Sequence, residues 1–475
     1  MLNEKSYTQW ILKPILSVCL LALAGCTVGP NYKPPQPNVP ADWAGPKISA
    51  QGQAASEQEL VNWWTKFQDP NLTSLVERAV QSNLDLKIAE SRVQQARASR
   101  GIVTAGFWPT ADVTGSASRS RASTGLKSNL YQTGLDAAWE IDIFGGTRRN
   151  IEAANADLLA AVENRRDVLV TLTSEVALNY IDLRGFQRQI VIAKENLQAQ
   201  KHTADLTRQR YQGGFVSALD VANADAQVAT TASQIPVLES SARQTIYNIS
   251  ILLGLEPAAL VQELSPESSI PPAPPEVPIG IPSDLLRRRP DIRRAEAQIH
   301  AATARIGVAT ADFFPKLSLS GSMTFQNNRL DSLIEWRNRM WTFGSAVDWQ
   351  IFNAGRVSYN VELQKALTEE SVITYQQTVL IALQDVENAL IASEKEQEHR
   401  NALIEAVAAN RKAVELSSQL YTEGQTDFLN VLNAQRSLYA SQDALVQSTR
   451  TVSTNLVALY KALGGGWSEE PQKQP

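Results

Sequence analysis

The 475-residue chain predicts an α+β membrane protein made of two tandem structural repeats, each running helix, strand, strand, long helix, helix. Three observations carry that class. The sequence is written twice at a nearly fixed offset. Two stretches almost free of helix breakers are long enough for helices of about 100 Å. Four short stretches alternate apolar and polar residues, the period of a strand with one greasy face.

The elements follow in chain order. Lys5 and Lys13 precede an apolar run from Ile15 to Ala24, shorter than the roughly 20 residues a spanning helix needs. A basic start, a short apolar centre and small residues form an export signal, here residues 1–25. Leu23-Ala24-Gly25-Cys26 resembles the bacterial lipoprotein box, which implies cleavage between Gly25 and Cys26 and acylation of the thiol. Several acyl chains, at about 0.8 kcal/mol per buried methylene, would hold the chain durably on a membrane. Thr27 follows where an aspartate would favour inner-membrane retention, so the outer membrane is the expected address. Cys19, the other cysteine, leaves with the signal, and no disulfide is possible afterwards.

Residues 26–62 form a proline-rich anchored segment, 63–263 the first repeat, 264–282 a proline-rich connector, 283–464 the second repeat and 465–475 a tail. DLKIAESRVQQARASRGIVTAGFWPTADVTGS (85–116) aligns with DIRRAEAQIHAATARIGVATADFFPKLSLSGS (291–322) at an offset of 206. AWEIDIFGGTR (138–148) matches AVDWQIFNAGR (346–356), and YQGGFVSALDVANA (211–224) matches YTEGQTDFLNVLNA (421–434). The first repeat is expected to hold a helix over 72–106, strands near 110–120 and 130–144, and a long helix over about 147–211. The second is expected to hold strands near 316–326 and 340–352, a long helix over about 356–423 and a shorter one over 427–463. Val379, Leu383, Val386 and Leu390 step by three and four, as one helix face requires.

In the strand near 130–144, Tyr131, Leu135, Trp139 and Ile141 share one face, and Gln132, Asp136, Glu140 and Asp142 the other. Trp349 and Asp348 alternate likewise. One greasy and one charged face suit a transmembrane barrel with a wet interior, its lumen lined by Asp136, Glu140, Asp142 and Asp348. Spanning barrels start at about eight strands, and an open edge in lipid leaves backbone groups unpaired at several kcal/mol each. Four strands per chain therefore demand two, three or four copies.

Composition excludes other classes. The net charge of −5 argues against a nucleic-acid partner. His202, His300 and His399 are far apart and outside metal-ligand spacing. No phosphate loop, nucleophile elbow or Cys-x-x-Cys is present, so no enzyme activity and no cofactor are expected beyond covalent lipid on Cys26.

The stretches CTVGPNYKPP (26–35), WWTKFQDPNLTSLVERAV (63–80), LLRRRPDIRRAEA (285–297) and ATADFFPKLSLSGS (309–322) together resemble the TolC-like outer-membrane efflux factors, in their NodT/OprM-like lipoprotein branch. The resemblance implies a homotrimer: a 12-stranded β-barrel continuous with a 12-helix periplasmic α-barrel, with an equatorial domain. It implies a passive exit duct for small toxic compounds, with a periplasmic adaptor and an inner-membrane resistance-nodulation-division transporter as partners. A polypeptide-secretion channel is the alternative within the class, and a lipid-anchored coiled-coil scaffold the alternative outside it. The periplasmic tip would be the turns carrying Tyr211, Gly214 and Asp220, and Tyr421, Gly424 and Thr426. Ser217 and Asp220 have capping-box spacing. In the family a tyrosine and an arginine latch onto an aspartate. Tyr421 and Asp220 hold two of those places, but Thr426 stands where the arginine would be. Asn430 and Asn433 stand where some relatives carry a ring of aspartates.

Overall fold

A computed structural model describes residues 27–45, 57–273 and 280–468. Gly25, Cys26, the signal, part of the connector and the last seven residues lie outside the described residues. The helices are α1 (Glu57–Val61), α2 (Pro70–Ser82), α3 (Leu84–Ala105), α4 (Gly146–Gln212), α5 (Ala218–Leu252), α6 (Val261–Leu264), α7 (Asp284–Arg288), α8 (Pro290–Ala311), α9 (Arg356–Thr422) and α10 (Phe428–Ala462). The strands are β1 (Thr110–Arg121), β2 (Lys127–Ile141), β3 (Lys316–Asn327) and β4 (Arg339–Asp348), in one antiparallel sheet ordered β1-β2-β3-β4. Both α4 and α9 have 67 residues, about 100 Å at 1.5 Å per residue.

The helix expected over 72–106 is two helices, and Asn83 is the reason. Its backbone leaves the helical region (ψ 135°), and its Oδ1 accepts the Leu86 amide at 2.9 Å, capping α3. Its Nδ2 donates to the Leu252 carbonyl at the end of α5, at 2.8 Å. The second repeat breaks at the matching place, where α7 ends and Pro290 starts α8. Proline tolerates a first helical turn but restrains the residue before it to extended backbone; Arg289 accordingly has ψ 121°.

The chain divides into two compact units: 1–37, 91–162 and 294–377 form one, and 38–90, 163–293 and 378–475 the other. The first holds the sheet. It also holds a strap, residues 27–32, fastened to the adjoining helix ends. Val28 donates its amide to the Phe144 carbonyl at 3.0 Å. Arg149, 4% exposed, donates to the carbonyls of Val28 and Gly29 and to Asn31 Oδ1. Gly29 has φ +85°, and a Cβ there would stand 2.5 Å from the Gly307 Cα, so only glycine fits. Tyr32 stacks on His300 at 4.2 Å and donates to Glu296 at 3.0 Å.

The second unit holds a large aromatic core. Trp63 is fully buried, stacked on Tyr460 at 5.3 Å and edge-on to Phe67. Leu72, Leu75, Val76 and Ala79 of α2 are also fully buried, each larger side chain contributing about 1.5–3 kcal/mol by leaving water. Asp69 caps α2, accepting the amides of Asn71 and Leu72, and its other oxygen accepts the Tyr180 hydroxyl at 2.9 Å.

Candidate functional site

The four strands run in unbroken register. Asp112 lies opposite Asp136, Asp136 opposite Ser322, and Ser322 opposite Thr342. Side chains alternate along a strand, so even-numbered residues share one face throughout the sheet. That face carries serines and threonines with Asp112, Asp136, Glu140, Lys316 and Asp348, and its sizeable apolar side chains are Leu130 and Met340, both toward the hairpin ends of the strands. The odd-numbered face carries Val113, Leu135, Trp139, Leu317, Leu319, Met323, Phe325, Trp341, Phe343 and Val347. Val113, Trp341 and Phe343 are 80%, 74% and 73% exposed. A single subunit thus presents a polar wall on one side and bare hydrocarbon on the other, with β1 and β4 as unpaired edges.

Asp136, Glu140 and Asp348 all lie on the polar face, where Asp136 accepts a hydrogen bond from Thr114 at 3.0 Å. Asp142 is different, and the lumen expectation for it is corrected. Strand β2 ends at Ile141 rather than near 144, and the Asp142 side chain is only 8% exposed. Its carboxylate accepts the backbone amides of Thr147 and Arg148, at 3.2 and 2.9 Å, and pairs with the Arg148 guanidinium at 3.1 Å. A carboxylate beside free helix-start amides stabilises the helix, so Asp142 anchors α4. Sequence reasoning overlooked Asp112 and Lys316. The offset between repeats could have found Asp112, because it falls where β3 has Ser318 on the same polar face.

The helix turns are built alike. In the first, Gly214 has φ +77°, Gly214 N donates to the Tyr211 carbonyl, and Phe215 N donates to Arg210. In the second, Gly424 has φ +79°, with matching bonds from Gly424 to Tyr421 and from Gln425 to Leu420. These paired bonds are the glycine-terminated helix stop. Ser217 and Asp220 form a reciprocal capping box at the start of α5. Beneath the turns, Ala204, Ala224, Tyr421, Phe428, Val431 and Leu432 make a small apolar core.

The expected contact between Tyr421 and Asp220 is absent within this chain. Tyr421 is 1% exposed, and its hydroxyl donates to Thr207 Oγ1 at 3.2 Å. Asp220 is committed to its own helix, accepting from the Ser217 amide and hydroxyl at 3.0 and 2.8 Å. The cation at the tip comes instead from α4. Arg210 lies over the Tyr421 ring, 4.7 Å from its centroid, and donates to the Tyr421 carbonyl. Thr426 accepts from Asn430 Nδ2 at 2.8 Å; Asn430 and Asn433 are exposed, as is Tyr211. The sequence signal for Arg210 was its place one residue before Tyr211, in the last turn of a long helix, where cations favour the helix carbonyls.

Among the described residues no cluster of metal-ligating side chains occurs, and no helix is long and apolar enough to cross a membrane.

Comparison with known proteins gives one answer. The family model described as "Outer membrane efflux protein" matches residues 75–255 and 281–465, one segment in each repeat. Nodulation protein T of Rhizobium leguminosarum bv. trifolii is 33% identical over 453 residues, covering 94% of this chain and 96% of the relative. The pyoverdine export outer membrane protein OpmQ of Pseudomonas aeruginosa is 34% identical, covering 96% of this chain and 97% of the relative. The solved outer-membrane channel OprN superposes with a TM-score of 0.87 at 37% identity, covering 93% of this chain and all of that one. CusC superposes with a TM-score of 0.84 at 29% identity, covering 93% of this chain and all of that one. The chain belongs to the outer membrane efflux protein family, as the outer-membrane channel component of a tripartite efflux pump.

Proposed function

We propose that three copies of the chain close one pipe, a 12-stranded barrel in the outer membrane that continues into a helical tunnel, through which small toxic compounds leave passively. The observation that carries this reading is the two-faced sheet with free edges at β1 and β4. In hydrocarbon such edges must be paired, and the only strands guaranteed to fit are those of identical neighbours. Energy comes from a resistance-nodulation-division transporter in the inner membrane, reached through a periplasmic adaptor. Acyl chains on Cys26 anchor the subunit, and the tightly held strap after it would fix where that anchor emerges. The turns at Gly214 and Gly424 form the periplasmic end. With Thr426, Asn430 and Asn433 there, closure rests on neutral hydrogen bonds and on Arg210 rather than on a salt bridge to Asp220.

Processing would leave no free thiol, so cysteines introduced at Ser116 of β1 and Thr342 of β4, both on edge strands, are clean reporters. Oxidation is expected to give a covalent trimer that still conducts ions in a planar bilayer. A conducting species cross-linked only as dimer or tetramer overturns the trimer, and a monomer that conducts nothing overturns the channel.

A further inference from the structure

The apolar face of the sheet finishes differently at its two ends. Where the strands join helices, its last residues are Ile141, Leu317 and Val347, without charge. Where the strands join each other through hairpins, the same face finishes in Arg119 and Arg121 of β1, Lys127 of β2 and Arg339 of β4. Arg121 and Lys127 lie directly opposite each other across the 122–126 hairpin. Like charges so placed repel.

The second hairpin shows what neutralisation looks like. There Arg329 pairs with Asp331 at 2.6 Å and Arg337 pairs with Glu335. Arg339 lies over the Trp336 ring, 4.0 Å from its centroid, and donates to the Trp336 carbonyl. In the first hairpin, among the described residues, no carboxylate meets Arg119, Arg121 or Lys127, and the neighbouring Leu126 is 74% exposed. Ten residues of β2 separate Tyr131 from Ile141, about 34 Å of strand and about 26 Å of height at barrel tilt. That height matches the hydrocarbon layer, so the fringe of cations falls at the level of lipid headgroups.

We propose that Arg119, Arg121 and Lys127 seat the phosphate groups of phosphorylated lipids in the outer leaflet. The occupant is amphiphilic because the cations continue an apolar face: acyl chains cover Val113, Leu135 and Phe343 while phosphates meet the guanidinium groups. A soluble anion would gain nothing from that continuity. The inference rests on the barrel reading above, which sets the hairpin ends outward.

The test uses the full chain in a neutral detergent, titrated with bisphosphorylated lipid A and with its dephosphorylated counterpart. Each basic residue near an anionic surface is worth roughly fivefold in affinity, so a preference of at least tenfold for the phosphorylated form is expected. The triple variant Arg119→Gln/Arg121→Gln/Lys127→Gln is expected to lose that preference, and Arg119→Lys/Arg121→Lys to keep it. A wild-type preference under threefold, or a triple variant that keeps the full preference, overturns the proposal. So does inorganic phosphate that displaces the lipid at equal concentration. Bilayer conductance of the same preparations separates the two claims. In the wild type, an absent preference with intact conductance sinks the lipid seat alone, whereas intact preference without conductance sinks the pore; the triple variant is expected to lose preference and keep conductance.

Discussion

Replacing Arg210 with alanine tests how α4 is fastened to α9 at the helix turns, the contact on which the proposed closure rests. Two interactions disappear together. The guanidinium donates to the Tyr421 carbonyl near the end of α9, a charged hydrogen bond of about 1.5–3 kcal/mol. It also covers the Tyr421 ring at 4.7 Å, a cation–π contact of about 0.5–1 kcal/mol where exposure is partial. The sum, about 2–4 kcal/mol, acts on local opening, because the core under the turns is small and separate from the aromatic core around Trp63. Local opening should therefore become some 30- to 1000-fold easier, since each 1.4 kcal/mol is tenfold. Hydrogen exchange at the amides of Gly424 and Gln425, which close the second turn, reads that directly. Single-channel conductance should show longer or larger open events. Arg210→Lys should fall between, since an ammonium keeps the charge but lacks the planar fork. Protection of those amides changed by less than threefold in Arg210→Ala would refute the idea that this arginine fastens α4 to α9.

Two further outcomes follow from other parts of the chain. At Glu152 burial favours the neutral acid, but hydrogen bonds from Arg149 and His300 prevail and hold the carboxyl below its ordinary 4.5. A depressed carboxyl contributes stability that is present above 4.5 and lost as pH falls through the lower folded value. The thermal stability gap between wild type and Glu152→Gln should therefore narrow from pH 7 to pH 3, and a constant gap would rule out this contribution. On the polar sheet face, Asp112→Asn/Asp136→Asn should roughly halve the cation-to-anion permeability ratio in a salt gradient, because carboxylate rings attract cations in a pore; an unmoved reversal potential would place these groups off the ion path.

How much was legible in the sequence depends on the length scale of the signal. The long helices could be read because they lack breakers, and the duplicated motifs fixed the order of elements. Boundaries failed where a side chain outvoted periodicity. The apolar spacing runs straight through Asn83, yet an asparagine that can cap one helix and bond the end of another ends the pattern. Asp142 continues the even-numbered alternation by sequence, but its carboxylate bonds two backbone amides at the head of α4, which the strand period could not reveal. At the helix turns, family likeness set Tyr421 against Asp220, but the capping-box spacing of Ser217 and Asp220, legible in the sequence, is what commits Asp220 to its own helix. The cation opposite Tyr421 comes from Arg210 of the other long helix, a pairing no spacing within one helix can encode.

The two repeats keep in common what holds the scaffold and differ where the chain meets something else. Trp139 donates its indole N–H to the Phe107 carbonyl at 3.0 Å, and Trp349 does the same to Phe313 at 3.0 Å. Each bond ties a strand's helix-joined end to the turn that enters the sheet, and it satisfies an N–H that lipid could not. Both helix turns likewise keep a glycine with positive φ. The divergence lies at the extremities. Among the described residues, no carboxylate meets Arg119, Arg121 or Lys127 in the first hairpin, while the second answers Arg329 and Arg337 with carboxylates. The first helix turn has a complete capping box, whereas Asp427 before α10 makes no side-chain cap and Asn430 bonds Thr426 instead. Packing holds the internal ties in both halves, whereas exposed hairpins and helix turns carry few buried contacts, so it is there that the two halves of a duplicated chain are free to take different partners.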